Sequence, residues 1–310
     1  MKEGRTATVM RSAGSNYTLR DTVTGSIVEG KLRGKLRLKG VRTTNPVAVG
    51  DLVEYETGEY GEAAITAILP RRNYIIRRSP NLSRESHVIA ANLDGAMLVV
   101  TLFMPRTNTE FIDRFLVTCE AYGVPASIVL NKIDMAEKMP EAVEEFEAIY
   151  ASAGYPVIKI SAAQGRGIGE LREMLQGKTT LLAGNSGVGK STLILALEPG
   201  SDVRTAPISD YHHKGRHTTT FARMYPLAGG GDIIDTPGIK GFGLLEIEPG
   251  EVYRYFPEML RTAAGCQYYN CTHTHEPGCA VMEAVADGTI SESRYVSYLK
   301  ILEEDEKYRK

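Results

Sequence analysis

The feature that most constrains this 310-residue chain is Gly184-Asn185-Ser186-Gly187-Val188-Gly189-Lys190-Ser191-Thr192, which has the spacing Gly-x4-Gly-Lys-Ser. The apolar run Thr179–Ala183 precedes it. The helix-forming run Ser191–Leu197 follows it and stops at Pro199-Gly200. Strand, glycine-rich turn and helix in that order form a phosphate loop, whose glycines let consecutive backbone N–H groups point inward at an anion. In such a loop Lys190 offers a cation to the β- and γ-phosphates, and the Ser191 hydroxyl offers a ligand to Mg²⁺. A chain carrying it needs a parallel sheet with helices on its faces.

The surrounding sequence has that pattern. Ala96–Leu102, Ala126–Leu130, Pro156–Ile160, Thr179–Ala183, Phe221–Tyr225 and Asp232–Asp235 read as buried strands. Helical stretches at Thr109–Tyr122, Glu137–Ala151 and Ile168–Leu175 lie between the earlier ones, which predicts an α/β sheet of parallel strands. Asn131-Lys132-Ile133-Asp134 follows one of these strands directly, so its side chains fall at a strand's carboxyl end, where α/β sheets bind ligands. A carboxylate at Asp134 can accept from both N1–H and the exocyclic amine of guanine. Adenine lacks that donor pair and would leave the charge unpaired. Ser161-Ala162, after Pro156–Ile160, is expected to bring a backbone N–H to the guanine carbonyl. Asp235-Thr236-Pro237-Gly238 is expected to hold the Mg²⁺ shell through Asp235 and to sense the γ-phosphate through the Gly238 N–H. In Ras-like proteins the order is phosphate loop, switch threonine, Asp-x-x-Gly, Asn-Lys-x-Asp, Ser-Ala. Here the last two come first while the cycle is kept, so the domain is a circular permutation. Because domain termini often lie close together, such rewiring costs the core little.

Residues 1–80 differ from the rest. They carry 14 Lys and Arg against 8 Asp and Glu, whereas the remaining 230 carry 22 against 30, so the overall charge of −2 hides an asymmetry. Short strands at Thr6–Met10, Tyr17–Asp21, Ser26–Glu29, Lys31–Lys39, Leu52–Glu56 and Ala63–Ile68 predict a small OB-type β-barrel. Lys31, Arg33, Lys35, Arg37 and Lys39 alternate with Leu32, Gly34, Leu36 and Leu38, so a strand would present all five cations on one face. Like charges so crowded favour a polyanion, and we read an RNA-binding face, with Arg71, Arg72, Arg77 and Arg78 as a second basic cluster at the barrel's end. From residue 246 the chain is helical and holds three of its four cysteines within fourteen positions, Cys266, Cys271 and Cys279. With an imidazole from His273 or His275 they form a set suited to structural zinc, tetrahedral and closed. Cys119 falls in an apolar pattern and reads as core. The domain boundaries expected are therefore 1–80, 81–245 and 246–310.

Composition limits the remaining classes. With 43% hydrophobic and 24% charged residues the chain is globular, and its longest apolar run, Ala96–Met104, is too short to span a bilayer. Met1–Arg11 has no signal-peptide core, so a soluble, cytoplasmic protein without a membrane partner is expected.

Barrel, permuted GTPase and zinc-bearing tail together resemble the RsgA family, also called YjeQ or YloQ, the GTPases that depend on the small ribosomal subunit. The resemblance spans essentially the whole chain. It rests on Asn131–Asp134, Gly184–Thr192, Gly215-Arg216-His217-Thr218-Thr219-Thr220, Asp235–Gly238 and the cysteine cluster. It implies hydrolysis of GTP to GDP and phosphate, stimulated by the small subunit during late maturation, with that subunit and its rRNA as partners and a monomeric state. It selects His273 as the fourth zinc ligand. It also assigns His217 the water-orienting role that a glutamine plays in Ras-like enzymes, where this chain has Ile239, so slow intrinsic hydrolysis is expected. Thr219, preferred over Thr218, is expected to reach Mg²⁺. His212, His213, Lys214 and Arg216 are expected to form a basic switch surface, and the γ-phosphate is expected to set the angle of the zinc domain through the chain leaving Gly238. Two other readings are a nucleotide-gated RNA-binding factor in which hydrolysis is incidental and a small-molecule kinase that prefers ATP.

Overall fold

The computed structural model describes residues 4–33, 46–58, 62–78, 86–137, 139–203, 222–236 and 247–309. Lys35, Arg37 and Lys39, the switch residues His212 to Thr219, and Gly238 and Ile239 lie outside the described residues, as do the side chains of Arg77 and Arg78.

Strands β1 (Arg5–Ala13), β2 (Asn16–Asp21), β3 (Ile27–Leu32), β4 (Leu52–Thr57) and β5 (Ala63–Ile68) close a barrel in the order β1-β2-β3-β5-β4-β1. All pairings are antiparallel except β3 with β5. Period-two alternation builds it: Tyr17, Leu19 and Asp21 of β2 point inward and pack with Ala7, Val9, Val53, Tyr55 and Ile65. A bulge interrupts the β1–β2 register between Val9 and Arg11. Met10 consequently turns away from the barrel and enters the core of the α/β unit beside Val49, Ile75 and Ile89. One residue further on, Arg11 pairs with Arg223, joining the barrel to the second sheet.

That sheet contains β8 (Gly95–Val100), β9 (Ala126–Leu130), β10 (Val157–Lys159), β11 (Thr179–Ala183), β12 (Arg223–Pro226) and β13 (Asp232–Asp235). Its order is β10-β9-β8-β11-β13-β12, parallel throughout except for β12. The short apolar runs suit strands buried on both faces, and two apolar cores flank the sheet. Helices α1 (Thr109–Ala121), α3 (Pro140–Ala153) and α4 (Ile168–Leu175) form where the helical pattern stood. Asn108 caps α1 by accepting from the Glu110 amide, and Gly154, in the left-handed region, ends α3. The short α2 (Ile133–Ala136) and α5 (Lys190–Leu197) start at the motif loops.

One element was not expected, and one expectation is corrected. A two-stranded ribbon of β6 (Tyr74–Arg78) and β7 (Ser86–Ala91) stands at the expected barrel boundary and packs against both units. In addition, Arg71 is no free cation: it forks onto buried Asp51 at 2.6 and 2.7 Å and is itself almost fully buried, while Arg72 pairs with Asp94 at 2.7 Å. Arg71 ties the chain leaving β5 back to Pro46 and Asp51 ahead of β4, whereas the Arg72 pair stays exposed to solvent. Of the strand expected over Lys31–Lys39, Lys31 and Leu32 belong to β3, and residues 34–39 lie outside the described residues.

The C-terminal part comprises a 3-10 turn (Pro249–Tyr255), α6 (Pro257–Ala263), α7 (Ala280–Ala286) and α8 (Glu292–Arg309) around its own core, which also takes in Val117 of α1. Fully buried Arg294 of α8 reaches Asp113 of α1 at 2.7 Å and Glu258 of α6 at 2.8 Å. Burial works against that cation, but Asp113 and Glu258 hold it above its usual value. Among the described residues no helix is long and apolar enough to cross a membrane.

Candidate nucleotide site and metal centre

Parallel strands bring their carboxyl ends to one edge, so the loops after β8, β9, β10 and β11 gather there with the end of β13. The loop after β11 needs its glycines. A Cβ on Gly184 (φ +146°) would stand 2.5 Å from the Val99 carbonyl oxygen, and one on Gly189 (φ +96°) would stand 2.4 Å from the Asn131 amide nitrogen. Gly189 opens α5, whose first turn holds Lys190, Ser191 and the exposed Thr192. The Lys190 ammonium donates to the carbonyls of Gly184 and Asn185, at 2.5 and 3.1 Å, and so lies across the loop's mouth. Ser186 and Gly187 are exposed there, while Val188 is buried beneath.

Asp235, at the end of β13, is buried with Oδ1 unpartnered. Burial pushes its carboxyl up to about 6, opposed by the charge of Lys190, and burial lowers Lys190, opposed by Asp235. The two are thus electrostatic neighbours in a poorly solvated place, with an unpaired oxygen that a cation would satisfy. Thr236 ties this strand end to β11 by donating to the Leu182 carbonyl at 3.1 Å.

Asn131 joins three of the motifs. Its amide nitrogen donates to the Val188 carbonyl at 2.8 Å, and its amide oxygen accepts from the Ala162 N–H at 3.0 Å. Ser161 is fully buried, with its hydroxyl unpartnered. Lys132, left-handed at φ +62°, caps α2 and donates to Gly187 O at 2.8 Å and to Met104 O at 2.7 Å. Ile133 and Asp134 form the first turn of α2, with Asp134 half-buried at the same edge. The sequence-expected residues of the phosphate loop, Asn131–Asp134, Ser161-Ala162 and Asp235 therefore converge. Whether Gly238, Thr219 and His217 join them lies beyond the described residues.

The loop after β8 belongs to the same edge and was missed by motif reading. Met104 receives Lys132, Pro105 lies 3.4 Å from where a Gly187 side chain would begin, and Thr107 accepts from the Thr101 amide. Its position after a central parallel strand was the available signal.

In the C-terminal part, one ligand atom from each of Cys266, Cys271, His273 and Cys279 lies within 4.8 Å of every other. His273 Nδ1 is 3.6 Å from Cys266 Sγ and 3.5 Å from Cys279 Sγ, and those sulfurs are 4.0 Å apart. A tetrahedral zinc with Zn–S of about 2.3 Å and Zn–N of about 2.0–2.1 Å requires edges of about 3.6 Å (S to N) and about 3.8 Å (S to S). The donors fit. His275 instead bonds Thr274 at 2.8 Å in the exposed part of the loop. Burial pushes the Cys271 thiol up to about 12 and lowers His273, so the imidazole is neutral and the Cys271 thiol needs a cation to ionise. Cys279 also caps α7, accepting from the Met282 amide. Glu276, unremarked in the sequence, shapes the ligand loop by accepting from the amides of Thr272 and Thr274 and from the Thr272 hydroxyl.

Comparison with known proteins follows the same division. The RsgA GTPase family model matches residues 68–245, and the RsgA N-terminal domain model matches residues 6–65. The small ribosomal subunit biogenesis GTPase RsgA of Bacteroides fragilis is 54% identical over 304 residues, covering 97% of this chain and 98% of that relative. The Porphyromonas gingivalis protein of the same name is 53% identical over 309 residues, with the same coverage. The crystal structure of YjeQ from Thermotoga maritima, 38% identical, covers 97% of this chain and 98% of its own at a TM-score of 0.77. YloQ, described as a circularly permuted GTPase, is 26% identical and covers 99% and 96% at a TM-score of 0.74. On fold, motif order and sequence alike, the chain belongs to the RsgA GTPase family.

Proposed function

We propose that the chain is a GTP hydrolase that binds the small ribosomal subunit and acts during its maturation, as the names of its relatives indicate for them. The observation that carries this reading is the Asn131 bridge, because one side chain pins the phosphate loop to the Ser161-Ala162 loop and leaves Asp134 beside both. Guanine is selected by Asp134, for which ATP offers no matching donor pair.

Lys190 exchanges its two carbonyl acceptors for phosphate oxygens when GTP binds, and the backbone N–H groups of residues 185–192 surround the phosphates. Mg²⁺, when bound, neutralises charge between the phosphates, and Ser191, Asp235 and Thr219 are the groups that would hold it. Gly238 reports on the γ-phosphate, and His217 orients the attacking water in place of a glutamine. Zinc is held by Cys266, Cys271, His273 and Cys279, closes the C-terminal loop and takes no part in hydrolysis. We divide the chain at 1–80 for RNA binding, 81–245 for GTP and 246–310 for zinc, and place the protein in the cytoplasm as a monomer that contacts rRNA through barrel and zinc parts.

The test is GTP turnover as purified small subunits are titrated in. Turnover should rise with subunit concentration, and His217→Ala should abolish the rise while GTP binding persists. Equal use of ATP, or turnover indifferent to subunits, would overturn the reading.

A further inference from the structure

Tyr268 and Tyr269 are the only aromatic side chains in the exposed class among the described residues, at 43% and 101% exposure. They sit side by side between two metal ligands. The Cys271 amide donates to the Tyr268 carbonyl at 3.2 Å, closing a turn with Tyr269 and Asn270 at its tip, and Cys266 and Cys271 anchor both ends. A rigid turn holding a large ring in water is unexpected in a surface shaped by solvent alone. Beside it is a groove of about 520 Å³ whose lining holds Tyr253, Leu260 and Gln267 together with three of the metal ligands, Cys266, Cys271 and His273, and no Lys, Arg, Asp or Glu. Tyr253 is itself fixed, its ring 4.6 Å from that of His273 in a T-shaped contact.

We infer that this groove is a stacking site for an unpaired RNA base, with Tyr269 and Tyr268 as the platform and the Gln267 amide positioned to meet a base edge. The inference rests on the proposal that the partner is ribosomal RNA, and names a contact for it. Chemistry favours a base over an apolar peptide. Three of the walls are phenol rings, which offer flat π-faces together with polar tips, and an amide stands among them. Its lining has no Lys, Arg, Asp or Glu, and a guanidinium stands next to its Tyr253 wall. The Arg254 guanidinium lies 6.0 Å from the Tyr253 ring centroid, interacts with the Tyr253 side chain by a hydrogen bond, and forms an exposed 3.4 Å pair with Glu251. Aromatic stacking faces flanked by a solvent-exposed guanidinium are what single-stranded nucleic acid requires.

The experiment uses the full zinc-loaded chain and an unstructured eight-nucleotide RNA carrying one 5-iodouridine. Irradiation should crosslink the base to Tyr268 or Tyr269, located by mass spectrometry of the peptide. Tyr269→Phe should bind this RNA as the wild type does, whereas Tyr269→Leu, equally apolar but without a π-face, should bind roughly 5- to 100-fold more weakly. Arg254→Ala should reduce the salt dependence by about one phosphate contact. Zinc content measured on each variant separates lost stacking from a lost fold. No crosslink in this segment, or Leu binding as well as Phe, overturns the inference. Weaker subunit binding by Tyr269→Leu with unchanged RNA binding does so too, since the occupant is then protein. In each of those results, subunit-stimulated GTP turnover of the wild type still reports separately on the proposed function.

Discussion

Asn131 shows how much one side chain can organise. Both ends of its amide are used, on backbone groups 57 and 31 residues away in sequence, and it is buried so that water cannot replace either bond. Asn131→Ala should therefore remove two buried hydrogen bonds, each contributing about 1 kcal/mol, and leave the Ala162 N–H unpaired. The expected outcome is guanine-nucleotide affinity lower by about 2–3 kcal/mol, read by fluorescence titration with a labelled GDP. Gly189→Ala should act on the same contact from the other side. Its Cβ would stand 2.4 Å from the Asn131 amide nitrogen, so affinity should fall without loss of zinc. The tetrapeptide Asn131–Asp134 is plain in the sequence, but this bridging role is not, because a motif records which residues meet a ligand and not which meet each other.

At the scale of elements, two ties carry predictions. The turn between β2 and β3 is fastened by Asp21, which accepts from the amides of Val23 and Thr24 and from the Tyr55 hydroxyl at 2.6 Å. The Thr24 amide above all, then Tyr55, hold its carboxyl well below the usual carboxylate range. A carboxyl depressed in the folded chain stabilises above its unfolded value, near pH 4. It loses that contribution as pH falls below about 4 toward the folded value. Thermal melts should show the wild type losing stability over that acid interval and Asp21→Asn changing far less across it. The second tie joins α1 to α8. Arg294→Ala leaves Asp113 and Glu258 buried without their cation, a loss of roughly 3–5 kcal/mol measured by chemical denaturation. Neither tie is legible beforehand. Asp21 reads as an ordinary turn residue and Arg294 as a solvated helix charge, and only distant chain segments supply the partners that change their meaning.

Across the whole molecule, the zinc part is bolted to the GTPase unit through α1. Val117 enters the zinc-side core, Asp113 meets Arg294, and Glu110 meets Lys300. The capping residue of α1, Asn108, follows directly on the loop whose Met104 carbonyl holds Lys132 at the nucleotide edge. Beside the expected link through the chain leaving Gly238, α1 thus supplies a packed connection between the nucleotide edge and the zinc part. Removing zinc with a chelator, or Cys279→Ser, should melt the C-terminal part, to which a closed structural site can contribute on the order of 10 kcal/mol. Proteolysis should then begin beyond residue 247. Nucleotide affinity should change much less, because among the described residues no zinc ligand touches the phosphate-loop edge.

Local sequence determined the elements and the chemistry: short apolar runs with glycine-rich turns after them, thiols at ligand spacing, and alternation in the barrel. These depend on nearest neighbours and on residue type, which a linear reading contains. Tertiary structure alone decided that Met10 leaves the barrel at a bulge and that Arg71 is buried against Asp51 and lost to any polyanion. Each of those outcomes turns on which groups meet across tens of residues. Burial and electrostatics are set by such meetings, and the order of residues along a chain carries no measure of them.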